Sequence, residues 1–403
     1  MDYVTESQKT LPVTDRFDVA VCGGGIAGIA AALSAARAGA KTILIENQFM
    51  LGGLATAGLV TIFLPLCDGK GHQVSFGICE ELIRLSEALG KDDPIPAPWN
   101  DPAASVEARA EKRFRNRYHP NVFAIQCEQL LIKEGVEILY GTRVAEVRMA
   151  ENKISHLILE NKSGRTAIGV RSVVDATGDS DVCAFAGAPT AIFSHGNNLP
   201  SWYYFVKEGK IHLKMLGYAD KVDEKGEYVT PEGKPKVERY YSGLDGKENS
   251  EMMIASRKAL LEHFLSNGEL SPTYSPVTVA TVPQLRMTRR IVGGYDLDTA
   301  DEFKEFDTSV GLISNWKKSG PIYEVPFETL YSKEVPNLLC AGRNISVTDP
   351  MWDVSRVIPC CAVTGEAAGL AAAMSDDMTA LSVTELQQKL MERKIPLHIN
   401  EVL

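Results

Sequence analysis

A glycine-rich turn near the start of the chain offers the clearest chemistry in the sequence. Gly23, Gly25 and Gly28 form a GxGxxG pattern between the apolar run at 18–22 and an alanine-rich segment. In a strand, turn and helix the first glycine permits the turn, the second lets the backbone approach a pyrophosphate, and the third lets helix and strand pack closely. Glu46 ends the next apolar strand, near the ~20-residue spacing expected for a carboxylate that binds ribose hydroxyls. The pattern predicts dinucleotide binding.

Two later segments distinguish between the possible dinucleotides. The run VVDATGDSD at 173–181 ends an apolar strand in small residues and then acids, and NLLCAGRN at 337–344 repeats this design. A helix beginning near Pro359 would point its positively polarised N-terminus into the same site. A cofactor contacted at four distant points is long, as FAD is. An NAD-dependent dehydrogenase, the alternative, would leave these segments without a ligand.

Several charged side chains are candidates for acting on a substrate. They are Arg286 and Arg289 in QLRMTRR, Asp353 and Arg356 in WDVSR and, as a weaker acid or base candidate, His72 in the polar DGKGHQ loop. For each arginine, a buried ion pair or a bond to a loop carbonyl is an equally open alternative. A guanidinium can hold a carboxylate in a bidentate geometry. We therefore expect Arg289 and Arg356 to orient an anionic substrate more than to bind the cofactor.

The cysteines and a basic segment leave further alternatives. Cys360 and Cys361 stand at a helix N-terminus, where a thiol pKa can fall, but free cysteine is more often a small buried residue, and no dithiol relay is expected. The eight cysteines form no CxxC and the seven histidines no metal-ligand spacing, so we expect no metal. The segment RAEKRFRNRYH at 109–119 could collect an anion, but its interleaved acids favour a solvated helix face.

These residues need a frame that brings distant segments together. The order strand, glycine turn, helix and strand over 18–46 is a βαβ unit. Helices are predicted at 77–89 and 122–134, followed by strands up to RSVVDAT at 171–177. The sequence predicts an α/β fold, a Rossmann-like FAD-binding domain with an inserted strand-rich substrate domain.

A change in the pattern of residue types indicates the insertion. Aromatic strands such as WYYFV alternate with a polar stretch at 223–241, whose Gly and Pro spacing predicts hairpin turns. After YEVPFETL the chain reverts to an apolar strand and a small-residue helix, and a last helix begins with a capping box of Ser382 and Glu385. The predicted domains are 1–190, 191–330 and 331–403.

Charge and composition limit the partners. A net charge of −10 disfavours attraction to nucleic acid or to an anionic membrane surface. No apolar run reaches the ~18 residues of a membrane span, and the polar opening lacks the apolar region of a secretory signal. We expect a cytoplasmic protein with a small-molecule partner, for which an anion is one candidate, and neither nucleic acid nor membrane as a partner. The electron donor or acceptor is not identified by the sequence.

The motifs taken together resemble those of the FAD-dependent oxidoreductase family of glutathione-reductase-like flavoproteins, distant relatives of the succinate dehydrogenase and fumarate reductase flavoproteins. The resemblance covers most of the chain apart from roughly 195 to 275. The segments that carry it are DVAVCGGGIAGIAAALSAARAGAKTILIE, LGGLATAGLV, VVDATGDSDVCAFAGAP, QLRMTRRIVGGYDL, YEVPFETL, NLLCAGRNIS and RVIPCCAVTGEAAGLAAA. The sequence departs from the pattern at Asp349, where many relatives have histidine.

The resemblance implies roles along the cofactor. The first glycines and Glu46 hold the ADP half, the loop at 52–55 approaches the flavin, and the backbone of Val144 meets adenine. Gly342 and Arg343 border the pyrophosphate or ribityl chain, and the helix start at 359–362 meets the pyrimidine edge of the flavin. The full expected set is Gly23, Gly24, Gly25, Ile26, Ala27, Gly28, Glu46, Asn47, Gly52, Gly53, Leu54, Ala55, Val144, Ala176, Thr177, Gly178, Gly342, Arg343, Pro359, Cys360, Cys361 and Ala362.

The expected function is hydride transfer between a small organic substrate and FAD. A flavoprotein that modifies nucleic acid, or one that binds FAD mainly for structure, is the alternative from another class. The acidic charge argues against the first, and the length of the inserted region argues against the second. Since the sequence has one GxGxxG in strand, turn and helix context, we do not expect an efficient NAD(P)H oxidase.

Overall fold

A computed structural model describes residues 2–89, 91–197, 201–216 and 239–403. Its strands are β1 Val13–Cys22, β2 Thr42–Ile45, β3 Ile62–Phe63, β4 Lys91–Asp93, β5 Asn116–Tyr118, β6 Glu137–Leu139, β7 Arg143–Ala150, β8 Lys153–Asn161, β9 Gly164–Asp175, β10 Thr190–Ile192, β11 Ser201–Lys207, β12 Lys210–Leu216, β13 Tyr274–Val279, β14 Arg289–Ile291, β15 Ser309–Ser314, β16 Ile322–Pro326 and β17 Leu338–Cys340. Its helices are α1 Ile26–Arg37, α2 Ile78–Glu87, α3 Val106–Ala110, α4 Pro120–Lys133, α5 Asp181–Ala186, α6 Gly246–Ser266, α7 Asp349–Ser355, α8 Ile358–Met374 and α9 Val383–Glu392.

The main sheet has the order β6-β2-β1-β9-β8-β7, and β17 pairs with the end of β9. The pairs among β6, β2, β1, β9 and β17 are parallel, while β7, β8 and β9 run antiparallel to one another. Cys22 and Cys340 both pair in register with Asp175, and Cys22 also pairs with Ile45. Four carboxyl ends therefore lie side by side, which is where parallel sheets bind ligands.

Helices α1 and α8 pack against each other so closely that glycine is required at the contact. A Cβ on Gly365 would lie 2.3 Å from the Ala27 carbonyl oxygen, and one on Gly369 would lie 2.1 Å from that of Ala31. Both helices are buried along most of their length. The small residues that the sequence places in both helices thus permit the close backbone approach that completes this layer of the Rossmann-like α/β fold.

Part of the predicted insertion packs separately from the main core, whereas Phe193 and most buried apolar residues from Met287 onward belong to the main core. The term inserted region refers here to residues 201–216 and 246–285. Strands β12, β11 and β13 make an antiparallel sheet, and α6 packs on it through Leu260 and Phe264 against Tyr203. The 21-residue α6 was not identified from the sequence, although its start has a capping signal: the Asp245 carboxylate accepts a hydrogen bond from the Glu248 N–H at 2.8 Å. Most of the stretch at 223–241, where hairpin turns are predicted, lies outside the described residues.

Most other sequence predictions of elements are confirmed, with one clear exception. The helices predicted at 77–89 and 122–134 are α2 and α4, and the Ser382 hydroxyl caps α9 by accepting from the Glu385 N–H. The solvated helix predicted at 109–119 is wrong beyond its first residues. There α3 ends at Ala110, and the following residues enter β5 because the Phe114 and Tyr118 side chains are fully buried. The domain limits at residues 190 and 330 stay a prediction.

Within the described ranges, no single helix combines the length and the apolar composition needed to cross a bilayer. Taken as a pair, α7 and α8 pass the same test of length and composition, but the two helices are bent by 91° where they meet.

Candidate active site

A cavity of about 610 Å³ opens at the carboxyl ends of the parallel strands. Cys22 and Ile45 line it at the ends of β1 and β2, and Ala176 and Ala341 line it just beyond β9 and β17. Its size is in the range of small-molecule and cofactor sites. The four segments assigned to one ligand from the sequence therefore share one cavity.

The three glycines of the turn occupy different environments. Gly23 has a φ of +102°, and a Cβ there would lie 2.5 Å from the Ala176 carbonyl oxygen. A Cβ on Gly28 would lie 1.8 Å from the Gly23 oxygen, so α1 could not pack on the turn. Gly25 differs because nothing lies within 4 Å of a Cβ built on it, although it lines the cavity. The open space at Gly25 is where the sequence predicts a pyrophosphate, beside the N-terminus of α1.

Glu46 has a structural task besides its predicted one. It lines the cavity together with Asn47, and its carboxylate accepts hydrogen bonds from the Gly24 N–H at 2.6 Å and the Gln48 N–H at 2.7 Å. Burial raises the pKa of Glu46, and these backbone donors oppose that effect. Gly24 itself is not among the lining residues. The carboxylate therefore stabilises the turn as well as facing the predicted ribose site.

The loop at 52–55 reaches the cavity through all its residues, Gly52, Gly53, Leu54 and Ala55. The Gly52 N–H donates to the Gly24 oxygen at 2.7 Å, which joins this loop to the glycine turn. The inserted region also binds the segment that follows. The Thr281 N–H donates to the Ala57 oxygen at 3.0 Å, and the Tyr204 and Thr61 hydroxyls lie 2.6 Å apart.

The ends of β9 and β17 place small residues on the cavity wall. Ala176, Thr177, Gly178 and Gly342 line the cavity, as does Arg343. A Cβ on Gly178 would lie 2.5 Å from the Arg343 Nε, so the guanidinium passes directly over this glycine. Val144, at the start of β7, also lines the cavity. These positions agree with the segments expected to contact an extended nucleotide.

Beneath this wall lies a buried group of Asp175, Cys183 and Cys340, whose potential ligand atoms fall within 4.8 Å of one another. The two sulfur atoms are 3.1 Å apart. The Asp175 carboxylate already accepts hydrogen bonds from Thr177, from the Cys183 N–H and from Asn344. Burial raises the pKa of both thiols and of the Asp175 carboxyl. The carboxylate thus acts as a structural acceptor that joins β9 to α5 and to the residues after β17.

Only part of the start of α8 reaches the cavity. Ile358 and Cys361 line it, whereas Pro359, Cys360 and Ala362 are buried and do not. Burial raises the pKa of Cys361 to about 12 and that of Cys360 well above its usual value. We therefore expect both thiols to be protonated near neutral pH. Cys360 agrees with the interpretation as a buried small residue, whereas Cys361 is partly exposed at the cavity.

Two acid–arginine pairs stand beside the β9 end, and the sequence analysis did not assign their acids. Asp179 pairs with Arg343 at 2.7 Å, and Asp181 pairs with Arg289 at 2.7 Å. The Arg289 Nε–H also donates to the Asp179 carbonyl oxygen at 2.9 Å. Asp179 and Asp181 line the cavity, but Arg289 does not. The signal that could have found these acids is their position directly after Gly178 in the motif VVDATGDSD.

Of the side chains proposed as catalytic, Arg356 lines the cavity. Asp353 lies behind it and accepts from the Arg356 Nε–H at 2.9 Å. Arg286 is buried away from the lining, and its backbone N–H donates to Asn197 at 2.8 Å. His72 lies in a loop outside the cavity, with its Nδ1 2.9 Å from the Asp68 carboxylate. Roles in catalysis for these residues stay predictions.

The inserted region supplies lining residues that the sequence analysis missed. Asn249 comes from α6, and Val282, Pro283 and Leu285 come from the segment after β13. The Asn249 amide N–H donates to the Gly243 oxygen at 3.0 Å, which leaves the amide oxygen without a protein hydrogen bond. No motif marks these positions, because ordinary apolar and amide side chains line such a wall only after the fold brings them there.

Comparison with known proteins identifies the cofactor. A family model described as FAD dependent oxidoreductase matches residues 18–199 and 243–390, more than half of the chain. The chain belongs to the FAD dependent oxidoreductase family. Membership makes it a flavoprotein enzyme with FAD as cofactor, and it excludes the plain NAD-dependent dehydrogenase considered from the sequence. The glycine cradle, with its open space at Gly25, fits this group.

Among curated proteins, thioredoxin reductase from Ureaplasma parvum serovar 3 is 30% identical to this oxidoreductase over 73 residues, which is 18% of this chain and 24% of that protein. The chain thus spans about a quarter of that relative's length. Among solved structures, a geranylgeranyl bacteriochlorophyll reductase-like protein from Thermoplasma acidophilum has a TM-score of 0.48 at 14% identity, covering 94% of this chain and 84% of that one. A flavin-dependent brominase, Bmp2, has a TM-score of 0.46 at 13% identity over the same shares. Both scores are low, so neither likeness bears on the substrate.

Proposed function

We propose that this FAD-dependent oxidoreductase transfers a hydride between a small anionic organic substrate and the flavin, and that Arg356 orients the substrate. The observation that carries the proposal is the position of Arg356 on the cavity wall, next to the start of α8. A guanidinium there can hold a carboxylate in a fixed, bidentate geometry. Such a contact would present one substrate carbon to the reacting atom of the flavin.

The apolar residues that line the same cavity support a charged headgroup on an otherwise apolar substrate. Leu285, Val282 and Pro283 line the cavity from the inserted region, and Ile358 lines it from α8. Apolar walls exclude water and thereby strengthen the electrostatic interactions that remain. A small organic acid would satisfy both parts of this lining.

The contacts behind Arg356 hold its side chain in position. Asp353 is buried, and its carboxylate contacts both the Arg356 guanidinium and the Lys317 ammonium group. The Trp316 indole N–H donates to the Asp353 carbonyl oxygen at 2.9 Å and so helps to fix this residue. The Asp353 carboxylate therefore contacts both cations. We assign Asp353 the task of positioning Arg356, with no proton transfer of its own.

The bound flavin supplies the chemistry of accepting or donating a hydride. The chain supplies orientation and a favourable field. The N-terminus of α8 lies at the cavity wall, where Ile358 and Cys361 line it, and a helix N-terminus carries partial positive charge. Negative charge that develops beside it during the reaction is stabilised. We propose that electrons come from the substrate or from a partner protein, and that neither nucleic acid nor a membrane is a partner.

The test compares three arginine variants in anaerobic flavin reduction with a panel of small hydroxy and amino acids and their methyl esters. Arg356→Ala should retain FAD but slow reduction by the active acid about 10²-fold, since positioning is lost. Arg356→Lys should rescue poorly, because lysine lacks the planar fork. Arg290→Ala is the matched control: the Arg290 side chain is 10% exposed, against 12% for Arg356, and pairs with an acid, Asp296, at 3.0 Å, but it does not line the cavity.

Equal rates for wild type and Arg356→Ala would overturn the assignment of Arg356. Reduction by the methyl esters as fast as by the acids would overturn the anionic substrate. The predicted role of Arg289 is tested by the same assay with Arg289→Ala. Because Arg289 does not itself line the cavity and pairs with Asp181, we expect a smaller loss than for Arg356→Ala.

A further inference from the structure

A short segment of the inserted region, residues 281–285, contacts two parts of the molecule. Three of its apolar side chains line the cavity, namely Val282, Pro283 and Leu285. The other two residues bind a neighbouring loop. The Thr281 N–H donates to the Ala57 oxygen at 3.0 Å, and the Gln284 side-chain amide donates to the Gly58 oxygen. This part of the cavity wall is therefore attached to the loop at two successive carbonyl groups.

Gln284 joins that loop to the sheet of the inserted region. The residue is 3% exposed. Its Oε1 accepts a hydrogen bond from the Trp202 N–H on β11 at 3.1 Å, while its Nε2 donates to the Gly58 oxygen. Because a buried amide must satisfy both its oxygen and its nitrogen, these two bonds fix its orientation. One side chain thus holds β11 and the loop at a fixed separation.

The loop transmits this contact to the cavity. The Gly58 N–H donates to the Gly53 oxygen at 3.0 Å, and the Val60 N–H donates to the Leu54 oxygen at 2.9 Å. A Cβ on Gly58 would lie 2.7 Å from the Leu54 Cα, so the two residues pack directly on each other. Gly53 and Leu54 both line the cavity. A shift of Gly58 therefore changes the cavity lining.

The backbone of the loop at 52–59 depends on its neighbours for its conformation. Leu59 has a φ of +59°, in the left-handed region where a residue other than glycine is strained. Gly52 and Gly53, with φ of +98° and +53°, occupy positive φ at the start of the loop. A strained segment persists only where surrounding contacts hold it. Gln284 holds the loop from the inserted region, and FAD is expected to hold it from the cavity.

We propose that Gln284 couples the inserted region to the cofactor: FAD bound against the loop at 52–59 orders the loop and, through Gln284, also orders β11. The wall at 282–285 takes its final position once the cofactor is bound, so FAD binds before the substrate. The inference rests on FAD as the cofactor and does not depend on the substrate or on Arg356. Two constraints on one element reinforce each other, so by linkage the Gln284 contact favours FAD binding by the same factor.

The experiment measures amide hydrogen exchange in the full-length protein, first with FAD removed and then with saturating FAD. FAD should slow exchange in β11 about fivefold or more, which is the lower end of typical coupling between two sites. β11 is the informative element because none of its residues lines the cavity, so direct contact with FAD does not protect it. Equal exchange in β11 with and without FAD would overturn the proposal without any variant.

Gln284→Leu removes both hydrogen bonds at similar side-chain volume. Saturating FAD should still slow exchange at residues 52–55 in this variant, but no longer in β11, and the Kd for FAD should rise about fivefold by linkage. Gln284→Asn is a second variant that keeps an amide and serves if the first does not fold. Its side chain is one methylene shorter and cannot reach both partners, so it should give the same result.

Gln387→Leu is the matched control. The Gln387 amide also donates to two carbonyl oxygens, those of Asp307 at 2.8 Å and Ser309 at 3.0 Å, but it does not line the cavity. This variant should respond to FAD as wild type does. Protection of β11 by FAD that persists in both Gln284 variants would overturn the assignment, since the coupling would then use another contact, such as that between Tyr204 and Thr61.

Discussion

The turn that receives the cofactor and the inserted region that covers part of the cavity are built on different principles. At the turn, backbone atoms meet backbone atoms, as at Gly28 and Gly23, and side chains are excluded. In the inserted region, aromatic side chains make the core, with Phe264 packed against Tyr203 and Tyr274 at ring distances of 5.4 and 5.5 Å. The first kind of site tolerates one residue type, and the second tolerates any side chain of suitable volume.

The largest expected effect comes from filling the space at Gly25. Gly25→Val places a branched side chain where the pyrophosphate is expected, and it should weaken FAD binding at least ~10³-fold, since the charge loses its contact with the helix N-terminus. The backbone at Gly25 is extended, with a φ of −68°, and a Cβ meets nothing within 4 Å. The apoprotein should therefore fold. FAD content of the purified variant is the measurement.

Gly246→Val provides the control for this substitution. Gly246 lies at the start of α6, a Cβ there also meets nothing within 4 Å, and the residue does not line the cavity. It should keep its FAD. A Gly25→Val protein that purifies yellow would show that the pyrophosphate lies elsewhere.

A smaller effect, on local stability, is expected from a substitution in the core of the inserted region. Phe264→Ala removes a ring that is 2% exposed, and buried Phe→Ala changes cost ~3 to 5 kcal/mol. We expect faster amide hydrogen exchange in β11 and β13 with little change in β1, because Phe264 belongs to a packing cluster separate from the main core. The adjacent Leu265 is 58% exposed, so Leu265→Ala should leave amide hydrogen exchange unchanged. Equal loss of protection in β1 would show that the two regions unfold as one.

The smallest effect, on the rate of flavin reduction, is expected from nicotinamide nucleotides. Since the sequence has one GxGxxG in strand, turn and helix context, we expect a single dinucleotide site, which FAD occupies. NADH and NADPH should reduce the flavin slowly and without saturation in anaerobic stopped-flow measurements. Rapid, saturable bleaching by either would mean that the inserted region recognises nicotinamide by means other than this motif.

The same contrast explains what could be predicted from the sequence. The segments around Gly23, Gly52, Gly178 and Gly342 were found because close backbone approach restricts the residue type, and the structure places all of them on one cavity. Glu46 was found by its spacing. Its bond to the Gly24 N–H was not, because that contact depends on the tertiary position of the loop.

The wall of the substrate pocket could not be predicted in this way. Pro283 and Asn249 reach the cavity only because the inserted region folds over it, and α6 escaped notice because its outward face carries apolar residues such as Ile254 and Leu261, which blur the helical pattern. The burial of residues 109–119 was also predicted wrongly. Alternating charges at 109–119 suggested a solvated helix, but Phe114 and Tyr118 pull the segment into a strand.

The contact between α1 and α8 also bears on how the chain folds. Ala27 and Ala31 pack against Gly365 and Gly369, which are separated from them by most of the sequence. Strand β1 likewise pairs with β9, which follows much later in the chain. During synthesis, the apolar faces of β1 and α1 emerge from the ribosome well before the segments that cover them. Such non-local pairing slows folding and exposes aggregation-prone surface in the meantime. Truncation before α8 would therefore remove the cover of the first helix made, and the nascent chain depends on its last quarter to complete its first structural unit.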